Sequence, residues 1–221
     1  RGLGDVYKRQ VLALSCGIVF LRMDKDGNII WAKTGGYHHD FQVMDDGTIY
    51  ALYHEWEPHP LAGFGNMALV DYVLILDEEG NELRRISLLK ALENSYYAPL
   101  LYGLDYAGDV LHTNTLRILD GALSDRLPAF RAGNALVCMR TPSLVAVLDM
   151  DRETLVWGQT GQWRLPHEPH ITHKDSMLIF DNCGPSWQVF ARPASRVLEF
   201  DPVTREVLWE YRGGRENPFF S

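Results

Sequence analysis

Cysteine is scarce and dispersed. Cys16, Cys138 and Cys183 stand far apart with no Cys-x-x-Cys spacing, which excludes a zinc ribbon or a disulfide framework and leaves room for at most one bridge. Long apolar runs are lacking too: the longest, residues 11–20, is too short to span a bilayer and is interrupted by Ser15, Cys16 and Gly17, so no transmembrane helix is expected. Arg9 ahead of this run mimics a secretion signal, but the run passes without a small-residue cleavage pattern into the strand-like residues 17–21, and we read it as strand. Basic residues never cluster. With 21 Lys and Arg against 29 Asp and Glu and a formal charge of -8, the chain has no patch to neutralise a phosphate backbone, and nucleic acid is not expected as a partner. A neutral or cationic partner suits that charge, which also serves solubility. No Walker-type glycine loop and no dinucleotide fingerprint occurs, so no cofactor and no metal is expected. Helical periodicity is nearly absent. Its best candidate is residues 88–92, and the Pro-containing tract 127–130 reads as loop.

What the chain does have is repetition. A hydrophobic content of 46% over 221 residues is ample for a packed core. One unit, an apolar run followed by an acidic turn and a second apolar run, recurs as IVFLRMDKDGNIIW (18–31), VLILDEEGNELRRI (73–86), LVAVLDMDRETLVW (144–157) and RVLEFDPVTREVLW (196–209). In each, Asp opens a turn with Gly or Thr a few residues on and β-branched or aromatic residues to either side, which is hairpin chemistry. Trp31, Trp157 and Trp209 recur at one place in three copies, suited to packing one sheet on the next. A second hairpin type alternates with the first, as FQVMDDGTIYAL (41–52) and ITHKDSMLIFDN (171–182), with turns at Asp46-Gly47 and Lys174-Asp175. Two hairpins make a four-stranded unit of roughly 50 to 70 residues, the scale of a propeller blade. A β-sandwich also alternates strands and turns, but the repeated Asp-turn-Trp units favour an all-β propeller. About four blades fit the chain, and a propeller has typically 4 to 8. Residues 1–10 match nothing in the pattern and are read as non-native or disordered, which leaves 11–221 as propeller. The tract 53–66 has no readable pattern, and 213–217 reads as unstructured.

Histidine placement is the informative asymmetry. His39, His112 and His167 each stand at or just before the start of a strand in a different unit, and Arg140 follows the strand-like run 135–138. In a propeller such positions converge on a shared axis. An imidazole nitrogen can attack an electrophilic centre flanked by anionic oxygens while Arg and further His donors neutralise those oxygens. His is also matched to exchanging a phenol proton near neutral pH.

Four signatures occur in order: Tyr37-His38-His39-Asp40-Phe41, Leu111-His112-Thr113-Asn114, Val137-Cys138-Met139-Arg140, and PHEPHITHKDSMLIFDN at 166–182. Together they resemble the aryl-sulfate sulfotransferase family of β-propeller enzymes, over roughly residues 18–212. The resemblance implies a six-bladed propeller, of which this chain would be a truncated part. It also implies transfer of a sulfuryl group from an aryl sulfate donor to a phenolic acceptor through a sulfohistidine, with no nucleotide donor. By the same resemblance His167 is the nucleophile, His39 and His112 bind sulfuryl oxygens or exchange the acceptor proton, and Arg140 stabilises negative charge. Asn114, His170 and His38 are further substrate-binding candidates. The local sequence departs from the family's usual Gln-His-Asp-Ala-like context, so His170 competes with His167 if the hairpin is shifted, and His38 competes with His39. A periplasmic or secreted location and a homodimer are family expectations. His54, His59 and His173 lack matched context and are read as loop or turn residues, and Asp181-Asn182 as a turn fixed by side-chain to backbone bonds.

Two other functions fit the same residues. Three imidazoles converging on one axis could hold zinc or copper, although Arg140 beside a dication is unfavourable. A propeller could also keep the architecture and use it only to bind a ligand or partner.

Overall fold

The structure, a computed structural model, describes residues 2–5, 10–60, 67–104, 108–182 and 195–212. Cys183 and the run 213–217 lie outside these residues, as does 61–66. The described strands form four four-stranded sheets, each a simple meander in chain order with every neighbour antiparallel. The chain divides into two compact units, Arg1–Lys90 with Tyr106–Val110, and Ala91–Asp105 with Leu111–Ser221.

The first unit holds two sheets. One comprises β1 (Gly2–Asp5), β2 (Gln10–Ser15), β3 (Val19–Met23) and β4 (Ile29–Thr34), and the other β5 (Tyr37–Val43), β6 (Ile49–Pro58), β7 (Met67–Leu76) and β8 (Glu82–Ser87). One expectation is corrected here. Within 1–10, Gly2–Asp5 and Gln10 do not stand apart from the repeat, because Gly2–Asp5 pairs in register with 10–13. Pairing at a sheet edge is a backbone property that demands no side-chain periodicity. Where the tract 53–66 has no readable pattern, its first residues are strand: β6 and β7 pair continuously from Ile49↔Leu76 out to Pro58↔Met67. Residues 11–20 are strand as expected, divided by a turn in which Gly17 takes φ +68. The core of this unit is largely aliphatic, with Ile49, Leu52, Val73, Leu74 and Leu76 buried, and one aromatic cluster lies within it. Phe20, fully buried, sits with its ring centroid 5.3 Å from Trp31, 5.3 Å from Tyr37 and 5.0 Å from Phe41.

The second unit holds β9 (Thr113–Ile118), β10 (Ala135–Met139), β11 (Leu144–Asp149) and β12 (Thr154–Gln159), then β13 (His167–Ile171), β14 (Met177–Asp181), β15 (Arg196–Phe200) and β16 (Val207–Arg212). Every residue of β10 and β11 is buried, as their near-continuous apolar runs require. A cluster containing Leu136, Val147, Trp157, Trp163, Ile179 and Phe200 joins the two sheets. The helical candidate forms as α1 (Leu88–Glu93), and Pro128–Phe130 closes as one 3-10 turn inside the β9–β10 connection. Among the described residues no helix is long and apolar enough to cross a membrane.

The four Asp turns do the same work in every sheet. Asp24 accepts the Asp26 and Asn28 N–H groups at 2.9 Å, Asp77 that of Asn81 at 2.7 Å, Asp149 those of Asp151 and Arg152 at 3.0 Å, and Asp201 that of Val203 at 2.7 Å. Bonds to the ionised carboxylate favour it, so Asp24, held by the Asn28 side chain and backbone, and Asp77, held by Asn81, lie below the ordinary Asp value. Gly27 and Gly80 supply the left-handed residue in two turns, at φ +84 and +74. Where Gly is missing, Glu153 (φ 52) and Arg205 (φ 65) adopt that conformation instead.

The tryptophan expectation holds in part. Trp31 donates its indole N–H to the Glu78 carbonyl at 3.0 Å, and Arg22 reaches the same carbonyl at 2.7 Å, tying the first sheet to the turn of the second. Trp157 is buried edge-on against Phe130. Trp209 is half exposed and stacks on Tyr211 of its own strand.

Candidate active site

Within the second unit, sheet register places His112 beside Arg140. Thr113 at the head of β9 lies opposite Met139 at the end of β10. The pairing continues outward, with Arg140 N–H donating to the His112 carbonyl at 3.2 Å and Thr141 N–H to that of Leu111 at 3.0 Å. His112 takes φ 49, and both side chains are half buried.

The start of β13 is stitched onto these two strands. The Pro166 carbonyl accepts the Asn114 amide at 2.8 Å and the Cys138 thiol at 3.2 Å, and Glu168 N–H donates to the Thr115 hydroxyl at 3.1 Å. Asn114 was expected at the substrate. It is instead buried, with its nitrogen on Pro166 and its oxygen taking the Thr115 hydroxyl at 2.9 Å, so its amide positions the chain next to His167. Cys138 is wholly buried and free of a disulfide, and burial followed by the nearby Glu168 charge pushes its thiol well above the ordinary range. That favours the inert, protonated thiol that donates to Pro166.

His167 therefore arrives with its ring constrained. Its Nδ1 lies 3.0 Å from the Leu165 carbonyl and 3.0 Å from the Asn182 side-chain amide. A carbonyl can only accept, so the Leu165 contact requires the proton on Nδ1, and the lone pair of the neutral ring then sits on Nε2. The Asn182 side-chain nitrogen at the same atom would donate to the other tautomer, but an amide can turn end for end whereas the Leu165 carbonyl can only accept, and the carbonyl decides for the Nδ1 proton. The pKa of His167 is lowered. Burial is the largest cause, and the Arg140 and His112 charges add to it, while the Leu165 carbonyl and Glu168 oppose. Arg140 and His112 are thus close enough for their charges to act on this ring. A neutral imidazole with a directed lone pair beside a guanidinium and a second imidazole can attack an anionic centre and hold its oxygens. His170 is exposed, beyond a register shift that separates it from His167 and puts it opposite Leu178.

The remaining candidates lie in the first unit. His39 is exposed, with φ 51, at a register shift in β5. His38 is 1% exposed, with its Nδ1 2.8 Å from Nδ1 of His39. His54, expected in a loop, is a β6 residue whose ring stacks on that of His38, centroids 4.4 Å apart. Gly36 is required beside it, because a Cβ there would stand 1.8 Å from the His54 carbonyl oxygen. His59 lies just past β6 and His173 in the β13–β14 turn, as expected.

Two residues were under-read. Asp181 does take the Arg164 N–H at 2.9 Å, as a turn residue would, but it is also buried against Arg196 at 2.6 Å. The Asn182 side chain meets His167. The signal available was its place at the end of the strand paired with β13.

Four consecutive four-stranded meanders, the last three with a histidine at or just before the head of the first strand, define a chain of the β-propeller class. The sequence model of the arylsulfotransferase (ASST) family matches residues 17–219, and the chain belongs to that family. A search of the curated proteins finds no match. Among solved structures, the chain is similar to a protein of unknown function from Bacteroides caccae, at TM-score 0.52 and 11% identity over 91% of this chain and 56% of that one. It is also similar to the Dos1 propeller, at TM-score 0.52 and 12% identity over 91% of this chain and 44% of that one. These likenesses show the fold alone, and the chain spans about half the length of the structures it matches.

Proposed function

We propose that the protein transfers a sulfuryl group from an aryl sulfate to a phenol through a sulfated His167. Membership of the arylsulfotransferase family supports sulfotransfer. The observation that carries the mechanism is the Nδ1 contact of His167 with the Leu165 carbonyl, which leaves the Nε2 lone pair for attack. In the first half-reaction Nε2 bonds to sulfur as the ester S–O bond breaks, and the aryl group leaves with the electron pair as a phenolate. In the second, the oxygen of the acceptor phenol bonds to sulfur, the S–N bond returns its pair to Nε2, and the phenol proton passes to a neighbouring base. Arg140, whose charge acts on the His167 ring, is assigned to neutralising the sulfuryl oxygens, and His112 beside it to the proton exchange. His39 is assigned to oxygen binding on the family resemblance. Asn114 and Asn182 hold the ring in place.

Among the described residues, the donors close enough to share a metal are His38, His54 and Asp71, and that set includes neither His112 nor His167. A three-histidine metal centre as the site of function thus has no observation behind it. Export to the periplasm or the medium and a homodimer belong to the same reading, checked by cell fractionation and light scattering. The function itself is tested with p-nitrophenyl sulfate. A stoichiometric burst of nitrophenolate, with turnover only when phenol is added, is expected. Release that continues steadily without any phenol would mean simple hydrolysis and remove the transferase reading.

A further inference from the structure

The second sheet carries a polar cluster that sulfuryl transfer does not use. Three adjacent strands each contribute one metal-binding side chain: His38 from β5, His54 from β6 and Asp71 from β7, with His54 and Asp71 directly opposite in register. Their donor atoms lie within 4.8 Å of one another, and His38 and Asp71 are 1% and 0% exposed. We propose that these three residues bind a transition-metal cation, zinc by the chemistry of the donors, at a site that shares no ligand with the proposed sulfuryl centre.

Spacing is the first argument. His38 Nε2 stands 3.7 Å from Asp71 Oδ1, longer than the roughly 2.7 to 3.2 Å of an N–H···O bond. Two donors each about 2.0 to 2.1 Å from a tetrahedral ion lie about 3.4 Å apart. The pair is therefore set nearer to sharing an ion than to bonding each other, and His54 completes the group with every donor atom within 4.8 Å of the others. The donor set is the second argument. Two imidazoles and one carboxylate match the three-ligand zinc pattern that leaves a position for water, whereas calcium and magnesium require oxygen ligands. A cation there would also neutralise the buried Asp71 carboxylate, which is costly to hold in a dry interior.

The surroundings fit a ligand histidine. With Nε2 of His38 on the ion, its Nδ1 carries the proton and donates across 2.8 Å to Nδ1 of His39. Outer hydrogen bonds of this kind fix the ring of a metal-binding histidine. They would also set His39 as an N–H donor at Nε2. The close approach of Gly36 to His54 holds the second ligand strand. This site departs from the expectation of no metal, and it stands whether or not the protein transfers sulfate.

The test titrates chelator-treated protein with Zn2+ alone by calorimetry and follows the thermal midpoint. One zinc per chain and a raised midpoint are expected. His54→Gln should weaken binding by about 100-fold or more, since loss of even an outer-shell partner costs about 10 to 100-fold. Asp71→Asn should do the same, and if it fails to fold, His54→Gln, at a half-buried position, carries the test. His167→Ala should bind zinc as the parent does. Absence of stoichiometric zinc, or binding undiminished in His54→Gln, or binding lost in His167→Ala, would overturn the proposal.

Discussion

Replacing Asn114 by Ala separates a positioning residue from a substrate contact. The side chain makes two buried hydrogen bonds, to the Pro166 carbonyl at 2.8 Å and from the Thr115 hydroxyl at 2.9 Å. Each is worth about 1 kcal/mol net, and more where the partner is left buried and unmatched. Pro166 keeps the Cys138 thiol at 3.2 Å, and Thr115 keeps the Glu168 N–H at 3.1 Å, which softens the loss. The sum is about 2 to 4 kcal/mol, a large share of the roughly 5 to 15 kcal/mol that holds a domain together. Freed on one side, residues 165–168 shift the His167 ring. A misplacement of about 1 Å costs about 100-fold in rate. Denaturant titration of Asn114→Ala should show the stability loss, and sulfuryl transfer should show a fall in kcat with KM little changed. Unchanged stability with a raised KM would mean that Asn114 touches substrate, and the assignment of its amide to Pro166 would be wrong.

The ring of His167 should also govern the pH profile. Its pKa lies below the ordinary 6.5, by burial first and then by the Arg140 and His112 charges, so the acid limb of the burst rate should fall below pH 6.5. Arg140→Ala should move that limb upward, and an unmoved limb would detach Arg140 from the ring. Because the folded state holds this ring neutral at pH values where the unfolded chain protonates it, the stability it carries is present above pH 6.5. That stability is lost as pH falls through the lowered value. Gly36→Ala should destabilise the protein by about 1 to 3 kcal/mol or more, since the new Cβ would meet the His54 carbonyl at 1.8 Å and only a backbone shift relieves it. A neutral result by thermal melting would show that the strand gives way freely. Asp181→Ala, which takes a buried partner at 2.6 Å from Arg196 but leaves it the Glu210 carboxylate and the Gln162 carbonyl, should cost about 1 to 3 kcal/mol. A loss under about 1 kcal/mol would mean that Arg196 finds solvent.

The repeated hairpins were legible because their chemistry is local. An Asp that takes its own turn's N–H groups, flanked by apolar runs, announces itself in a dozen residues. The left-handed residues Glu153 and Arg205 were not legible, since the turn imposes that conformation on whatever side chain stands there. His112, Arg140 and His167 could be singled out as an ordered set, but their contact depends on how β13 docks on β9 and β10, which no spacing reveals. Asn114 shows the difficulty plainly: its proximity to His112 in sequence suggested substrate, whereas its partner is Pro166, far along the chain. His54 looked like a loop residue because its significance lies across the strands, with His38 and Asp71. The strand Gly2–Asp5 was missed because edge pairing leaves no side-chain signature.

The most direct measurement is the mass of the trapped intermediate. Protein exposed to p-nitrophenyl sulfate without phenol, then digested under alkaline conditions that preserve a sulfated imidazole, should yield one sulfated peptide containing residues 164–182. Fragmentation should place the group on His167, and His170→Ala should retain it. Sulfate on His170, or none on any histidine of a folded protein that still releases nitrophenolate, would contradict His167 as the nucleophile.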